Sequence, residues 1–392
     1  MKDYYGIKEE FIEKIKGDSI VVFGTALHAV KCLYHLKNKN VFIKYFLNNN
    51  CLEKTFCGYS VYKPTKEKIT GNFILVATSD RVYPEISRQL RESGLREFDD
   101  YIYYEWLYKK VALLHGNCHM ATVRSFLMSS KQFFDNYSIY PNPPIYLNKE
   151  KRVSESGIKN CDVWIHQDIR KENAWGYYFS DEYLRQNMCP DVEEIVVPNL
   201  FGLGKFLFPQ IGVGENLRDR KINNGTDVFS MFPWADSIID KCMENGMDKK
   251  EIEEFCKGVP IEENEIRENF RYYIEKIRVR EQAWDIKIVD FILDHYKDEK
   301  LFYDMYHPCD NIIKQISIGV LKKLGIDDEN IFNSEDSFLD ANEDPVYPVV
   351  KNVLGLRWEE TFIRKSIVGK KICRDMDFSQ YIEEYLFWCY EV

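Results

Sequence analysis

Two stretches of this chain read alike: Ile20-Val-Val-Phe-Gly24 and Val111-Ala-Leu-Leu-His-Gly116, each a short apolar run closed by a glycine. Runs of this length, followed by a helical pattern, are the mark of strands buried on both faces of a parallel sheet. After the first come strand candidates at Val41–Leu47, Asn72–Thr78 and Asp99–Tyr103, with helical patterns between them at Leu27–Lys37 and Tyr83–Glu92. Ahead of it, residues 1–19 read as an amphipathic helix with Ile7, Phe11, Ile12 and Ile15 on one face. The second run restarts the rhythm, with strands expected at Val111–His115, Tyr137–Tyr140 with Ile145–Leu147, Asp162–His166, Glu194–Val197 and Leu301–Tyr303. Alternating strands and helices imply an α/β fold. Two domains follow: residues 1–108 as a Rossmann-like parallel sheet, and 109–392 as a second α/β domain.

Between about 215 and 300 the strand pattern gives way to helices, the longest expected from Glu262 to Tyr296. This reads as a helical insertion packed on the second sheet. A helix is expected over Asn311–Leu324, an acidic loop over Asp327–Asp344, and one or two closing helices over 346–392.

The 392 residues are 45% hydrophobic and 30% charged, a globular mixture with material for more than one core. A net charge of −10 argues against a nucleic-acid partner, because phosphate binding is driven by Lys and Arg. No run approaches the roughly 20 apolar residues of a membrane span, and the charged start Met1-Lys-Asp-Tyr-Tyr-Gly-Ile-Lys-Glu-Glu10 lacks the apolar stretch of a signal peptide. Eleven cysteines with no C-x-x-C spacing suit reduced thiols in a cytoplasmic protein.

The first glycine turn, Gly24-Thr-Ala-Leu-His-Ala29, has one of the three glycines of a dinucleotide-binding turn. Asn48-Asn49-Asn50 stands where such a site keeps an acidic residue for a ribose hydroxyl. A nicotinamide cofactor is therefore not expected.

The second turn carries more chemistry. In Leu113-Leu-His-Gly-Asn-Cys-His-Met-Ala-Thr-Val-Arg124, Cys118 follows a strand and opens a helix. Backbone N–H groups at a helix N-terminus favour thiolate over thiol and can hold an oxyanion. Gly116 permits the sharp turn, and Asn117 adds a side-chain donor. In Asp304-Met-Tyr-His307 the D-x-x-H spacing lets the carboxylate orient an imidazole whose other nitrogen faces a nucleophile. His166 and Gln167 end one strand, and Asn199 follows another; in an open parallel sheet such ends converge on one crevice. Two other readings of the same residues stand beside this one. Cys118 is a buried structural thiol in the first; in the second, His115, Cys118, His119 and His166 approach a zinc set, crowded by the tight turn.

Residues from about 111 to 356 resemble the WcbI family of polysaccharide-biosynthesis proteins. The stretches that carry the resemblance are His115-Gly-Asn-Cys118, His166-Gln167 and Val197-Pro-Asn-Leu-Phe-Gly-Leu-Gly204, followed by Arg280-Glu281 with Asp285-Ile286, His307-Pro308, Leu324-Gly325 and Tyr347-Pro348. His119 stands where that pattern is expected to have glutamine, and the N-terminal domain is an addition. The Gly-Asn-Cys and D-x-x-H layout also resembles the SGNH hydrolases, with cysteine in place of serine.

The WcbI resemblance implies a coenzyme A-dependent acetyltransferase of capsule or surface polysaccharide. Its donor would be acetyl-coenzyme A and its acceptor a sugar or nucleotide sugar. Cys118, His307, Asp304, Asn117 and His166 are then the catalytic candidates; Gly116, His119, Arg124, Gln167, Asn199 and Lys205 are the candidates for holding coenzyme A. No metal is expected, and a homo-oligomer is compatible with the chain. The basic run Arg364–Arg374 is a further candidate for the coenzyme's phosphates. The segment Ser19–Asp100 resembles, in layout, the small N-terminal domain of some sugar acyltransferases, which implies nucleotide-sugar binding or docking. An esterase or deacetylase using the same residues, and a non-catalytic glycan-binding protein, are the alternatives.

Overall fold

The computed structural model describes residues 20–37, 41–216, 232–334, 343–359, 362–364 and 374–390, with residues 7, 8, 11, 14, 15 and 339 (backbone alone at 213–216, 362–364, 374 and 375). The chain is α/β. It divides into two compact units, the first Met1–His115, Gln132–Ile165 and Ile169–Glu194, the second Gly116–Lys131, His166–Asp168 and Ile195–Val392.

The first unit holds a six-stranded sheet of β1 (Ile20–Phe23), β2 (Ile43–Leu47), β3 (Thr55–Phe56), β4 (Tyr59–Tyr62), β5 (Phe73–Val76) and β6 (Tyr101–Tyr103), in the order β3-β4-β2-β1-β5-β6. All pairings are parallel except β3 with β4. β1 is central because all four of its side chains are apolar and buried, each contributing roughly 1.5–3 kcal/mol by leaving water. Helix α1 (Leu27–Leu36) connects β1 to β2, and α2 (Tyr83–Glu92) connects β5 to β6. Ile7, Phe11 and Ile15 are buried; the rest of the helix expected over 1–19 lies largely outside the described residues. Under the sheet, Trp106 stacks between Phe98 and Tyr140 at centroid distances of 4.8 and 5.3 Å. Glu97 is buried there as the acceptor of Tyr83, Ser87 and Tyr140 hydroxyls, which offset its loss of hydration.

A second sheet comprises β7 (Lys110–His115), β8 (Tyr137–Ile139), β9 (Val163–Gln167) and β10 (Glu193–Val197), in the order β10-β9-β7-β8. β7 and β8 are parallel, with Val111 opposite Ser138. Asp162 fixes the start of β9, its carboxylate and N–H bonding the Val111 N–H and carbonyl at 2.7 and 2.8 Å. Ile145–Leu147, expected as a strand, is a 3-10 turn after Pro144; Pro143 and Pro144 lack the N–H a ladder needs.

In the second unit Cys118 is the N-cap of α3 (His119–Ser129). Strands are not absent from the region expected to be helical: β11 (Ile211–Asn216) and β12 (Trp234–Asp236) pair antiparallel. The single long helix expected there is two, α4 (Glu263–Glu281) and α5 (Val289–His295). The break has non-local causes. Asp285 exchanges backbone and side-chain hydrogen bonds with Val196, both at 2.8 Å. Ile286 fills the space above Gly319 of α6 (Asp310–Lys323), where a Cβ would lie 2.6 Å from its Cγ2. Glu281 then caps α5 by accepting the N–H groups of Ile288 and Val289. Leu301–Tyr303 is a bridge of Phe302 to Pro308 and not a full strand. The basic run Arg364–Arg374 lies, between its ends, outside the described residues. Among the described residues no helix is long and apolar enough to cross a membrane.

Candidate active site

Gly116, Asn117 and Cys118 follow β7 directly, and Gly116 has no room for a larger residue. A Cβ there would lie 2.5 Å from Gln167 Oε1 and 2.6 Å from Met120 Cγ. The close approach lets Gln167, the last residue of β9, accept the Asn117 N–H at 2.9 Å. Asn117 in turn accepts the His119 N–H through Oδ1 at 3.0 Å and donates Nδ2 to Asn199 Oδ1 at 3.3 Å. One of the backbone N–H groups expected to hold an oxyanion, that of His119, is thus already engaged. Cys118 is half-buried.

The D-x-x-H segment folds as a turn closed by its own carboxylate. Asp304 Oδ1 accepts the N–H groups of Tyr306 and His307 at 2.7 and 2.8 Å, and Oδ2 lies 2.8 Å from His307 Nδ1. Gly204 makes room for this turn: its N–H donates to Met305 O at 3.1 Å, and a Cβ would meet Phe302 at 2.6 Å. With Nδ1 committed to Asp304, the other nitrogen of His307 is the one left for Cys118, whose sulfur helps to stabilise the charged ring. Burial disfavours the charge on His307, but the Asp304 charge and hydrogen bond, together with Cys118, hold its pKa well above the usual imidazole value. The result is a thiol, an imidazole and a buried carboxylate in sequence, the layout of an activated cysteine nucleophile.

His119 is the counterpart. Its Nε2 lies 3.0 Å from the Tyr306 carbonyl, which can only accept, so Nε2 carries the proton and Nδ1 faces Gln167 Nε2 at 3.4 Å. Burial first, then the charge on His307, push its pKa down to about 3. The two rings meet edge-on at 6.3 Å. One histidine is arranged to be charged and the other neutral.

The structure therefore joins Cys118, His307, Asp304, Asn117, His119, Gln167 and Asn199 in one bonded set around Gly116. His166 is fully buried; side chains alternate along a strand, so it faces away from the side that Gln167 serves. Arg124 is half-buried on α3, and Lys205 in the turn Gly204–Phe206 accepts Asn269 Nδ2 through its carbonyl at 3.1 Å. Neither takes part in the bonds above. His115 bonds and stacks on Phe179, and among the described residues no group of three His, Cys, Asp or Glu is placed to hold a metal ion. An aromatic wall was not legible in the sequence: Tyr306 packs on Phe201 and Trp234 at 4.4 and 4.3 Å. These residues are remote in sequence, and no spacing links them.

The model of the polysaccharide biosynthesis enzyme WcbI matches residues 111–329, more than half of the chain. The chain belongs to the WcbI family. It is accordingly an enzyme of polysaccharide biosynthesis, and the matched span contains every residue of the bonded set. No curated protein matches the chain. Among solved structures, one of WcbI itself is similar, with a TM-score of 0.56 and 18% identity over 72% of this chain and 91% of that one. That structure is described as the native protein without a disulfide bond between coenzyme A and a cysteine. At this identity the likeness is one of fold.

Proposed function

We propose that the chain transfers an acyl group, acetyl in the simplest case, from coenzyme A to a sugar hydroxyl or amine in capsule or surface-glycan assembly. The observation that carries this reading is the buried Asp304–His307 pair with Cys118 acting on its imidazole. Coenzyme A enters as donor substrate, an assignment supported by the coenzyme and cysteine named for the WcbI structure. A half-buried thiol beside an imidazole suits a thioester donor.

Cys118 passes its proton to His307, its Sγ attacks the acyl carbonyl carbon, and the bond from that carbon to the coenzyme's sulfur breaks. The departing thiolate takes the proton of His307. Cys118 then holds the acyl group as a thioester. His307 next accepts the proton of the sugar hydroxyl or amine as its oxygen or nitrogen attacks, and Cys118 is released as thiolate. Asp304 keeps the ring oriented and offsets its charge in both half-reactions. The second N–H of the Asn117 side-chain amide, whose first donates to Asn199, would donate to the developing oxyanion.

Intact mass after incubation with acetyl-coenzyme A tests the reading. An acetyl adduct is expected on the wild type and not on Cys118→Ala. Absence of the adduct, with coenzyme A still released in the presence of sugar acceptors, would show direct transfer without a covalent intermediate. Release of free acetate that no sugar acceptor diverts would reassign the site to hydrolysis.

A further inference from the structure

In the first unit, the carboxyl ends of β1, β2 and β5 open on a crevice of about 480 Å3, a volume within the range of small-molecule sites. It lies beside β1, where the strand order reverses; loops diverge at such a point, and open parallel sheets hold ligands there. Gly24 forms part of the floor. Its φ of +127° is a glycine conformation, and a Cβ would run into the Ala77 carbonyl oxygen, so the two loops meet with no side chain between them.

The lining divides into two chemistries. One part is short amides and hydroxyls: Thr25, Asn48, Asn49, Asn50, Thr78 and Ser79. The other is apolar, from Ala26, Leu27, Val82 and Ile86. Among the described residues Glu85 is the one carboxylate of the lining, and neither Lys nor Arg takes part in it. His28, whose pKa is lowered chiefly by burial, is neutral at pH 7. The polar groups are held in place: Asn48 donates to Thr25 and accepts the Asn50 N–H at 2.8 Å, and Asn49 exchanges two bonds with Gln89 at 3.0 and 3.1 Å. Such preorganisation lowers the ordering cost of binding.

Among the described residues of this lining an anion finds no Lys or Arg and one opposing charge. A neutral sugar ring matches it, with a rim of hydroxyls for the amides and a face of C–H groups for the apolar side. We propose that the crevice binds a neutral glycosyl unit, so that the first unit is a carbohydrate-recognition module of this polysaccharide enzyme. The inference does not rest on acyl transfer at Cys118.

Saturation-transfer NMR on the full chain carrying Cys118→Ala keeps the two readings distinct. The probes are the methyl glycosides of glucose, galactose, mannose and N-acetylglucosamine, with UDP as the anionic control. Transfer to the ring protons of at least one glycoside is expected. Thr78→Val and the double variant Asn49→Ala/Glu85→Ala alter half-buried or exposed positions and should preserve the melting temperature. Each lost hydrogen bond should weaken binding about fivefold. No transfer to any glycoside, transfer to UDP alone, or transfer unchanged by both variants overturns the proposal.

Discussion

Nδ1 of His307 lies 2.8 Å from Oδ2 of Asp304, and the other oxygen of that carboxylate is tied to the N–H groups of Tyr306 and His307. Three donors from two residues, Tyr306 and His307, hold one carboxylate that is itself 1% exposed. Its plane cannot turn without breaking the loop, so the imidazole is presented to Cys118 in one orientation and one tautomer. Local chain geometry, set by the D-x-x-H spacing, thus fixes the part of the site on which proton transfer depends.

Asp304→Asn should lower acyl transfer roughly 10²–10⁴-fold while the protein still folds. Burial pulls the His307 pKa down, and the Asp304 charge is the first influence holding it up. A charged His307 persists to well above pH 6.5, so the alkaline limb of kcat/KM should lie there and move toward acid in the variant. The stability sign follows from the same shift. A raised folded pKa stabilises fully below the unfolded value near 6.5, and the contribution fades as pH rises through the folded value. The variant's deficit, about 2 kcal/mol, should therefore be larger at pH 6 than at alkaline pH in urea titrations. Coincident pH profiles would exclude this role for the charge.

Gly116→Ala should damage the site more than the fold. The new Cβ would sit 2.5 Å from Gln167 Oε1 and 2.6 Å from Met120 Cγ. Either the Gln167 amide withdraws from the Asn117 N–H or the turn before Cys118 shifts. Overpacking of this kind costs about 1–3 kcal/mol, visible as a lower melting temperature. A misplaced thiol should cost roughly 10²-fold in acyl transfer. Wild-type kinetics in this variant would show that the Gln167 contact does not position Cys118.

What the sequence could announce were the features that depend on near neighbours. β1 and β7 were legible as apolar runs closed by Gly24 and Gly116, and the Asp304 turn as a spacing. The break between α4 and α5 was not, because Ala283, Ile286 and Val289 keep apolar helical spacing across it. Only the distant partners Val196 and Gly319 reveal why the helix stops. His166 and Gln167 could have been told apart, since adjacent strand residues face opposite ways. No local rule, however, says which of the two faces meets Asn117. The Phe201–Tyr306–Trp234 wall is invisible for the same reason.

His119→Gln isolates the neutral histidine. The resemblance to WcbI expects glutamine at this position, and an amide can donate to the Tyr306 carbonyl as Nε2 does now. Stability at pH 7.5 should therefore change by no more than about 1 kcal/mol, and acyl transfer should fall less than tenfold. Acid should separate the two proteins. The folded pKa of His119 is depressed to about 3, so its contribution is complete above the unfolded value near 6.5 and is lost as pH falls toward the folded value. Between pH 7.5 and pH 5 the wild type should lose roughly 2 kcal/mol that the variant keeps. The other titrating groups common to both proteins largely cancel in the comparison. Equal losses in paired urea titrations at the two pH values would mean that His119 takes up its proton without leaving the fold, and the Tyr306 bond would not define its tautomer.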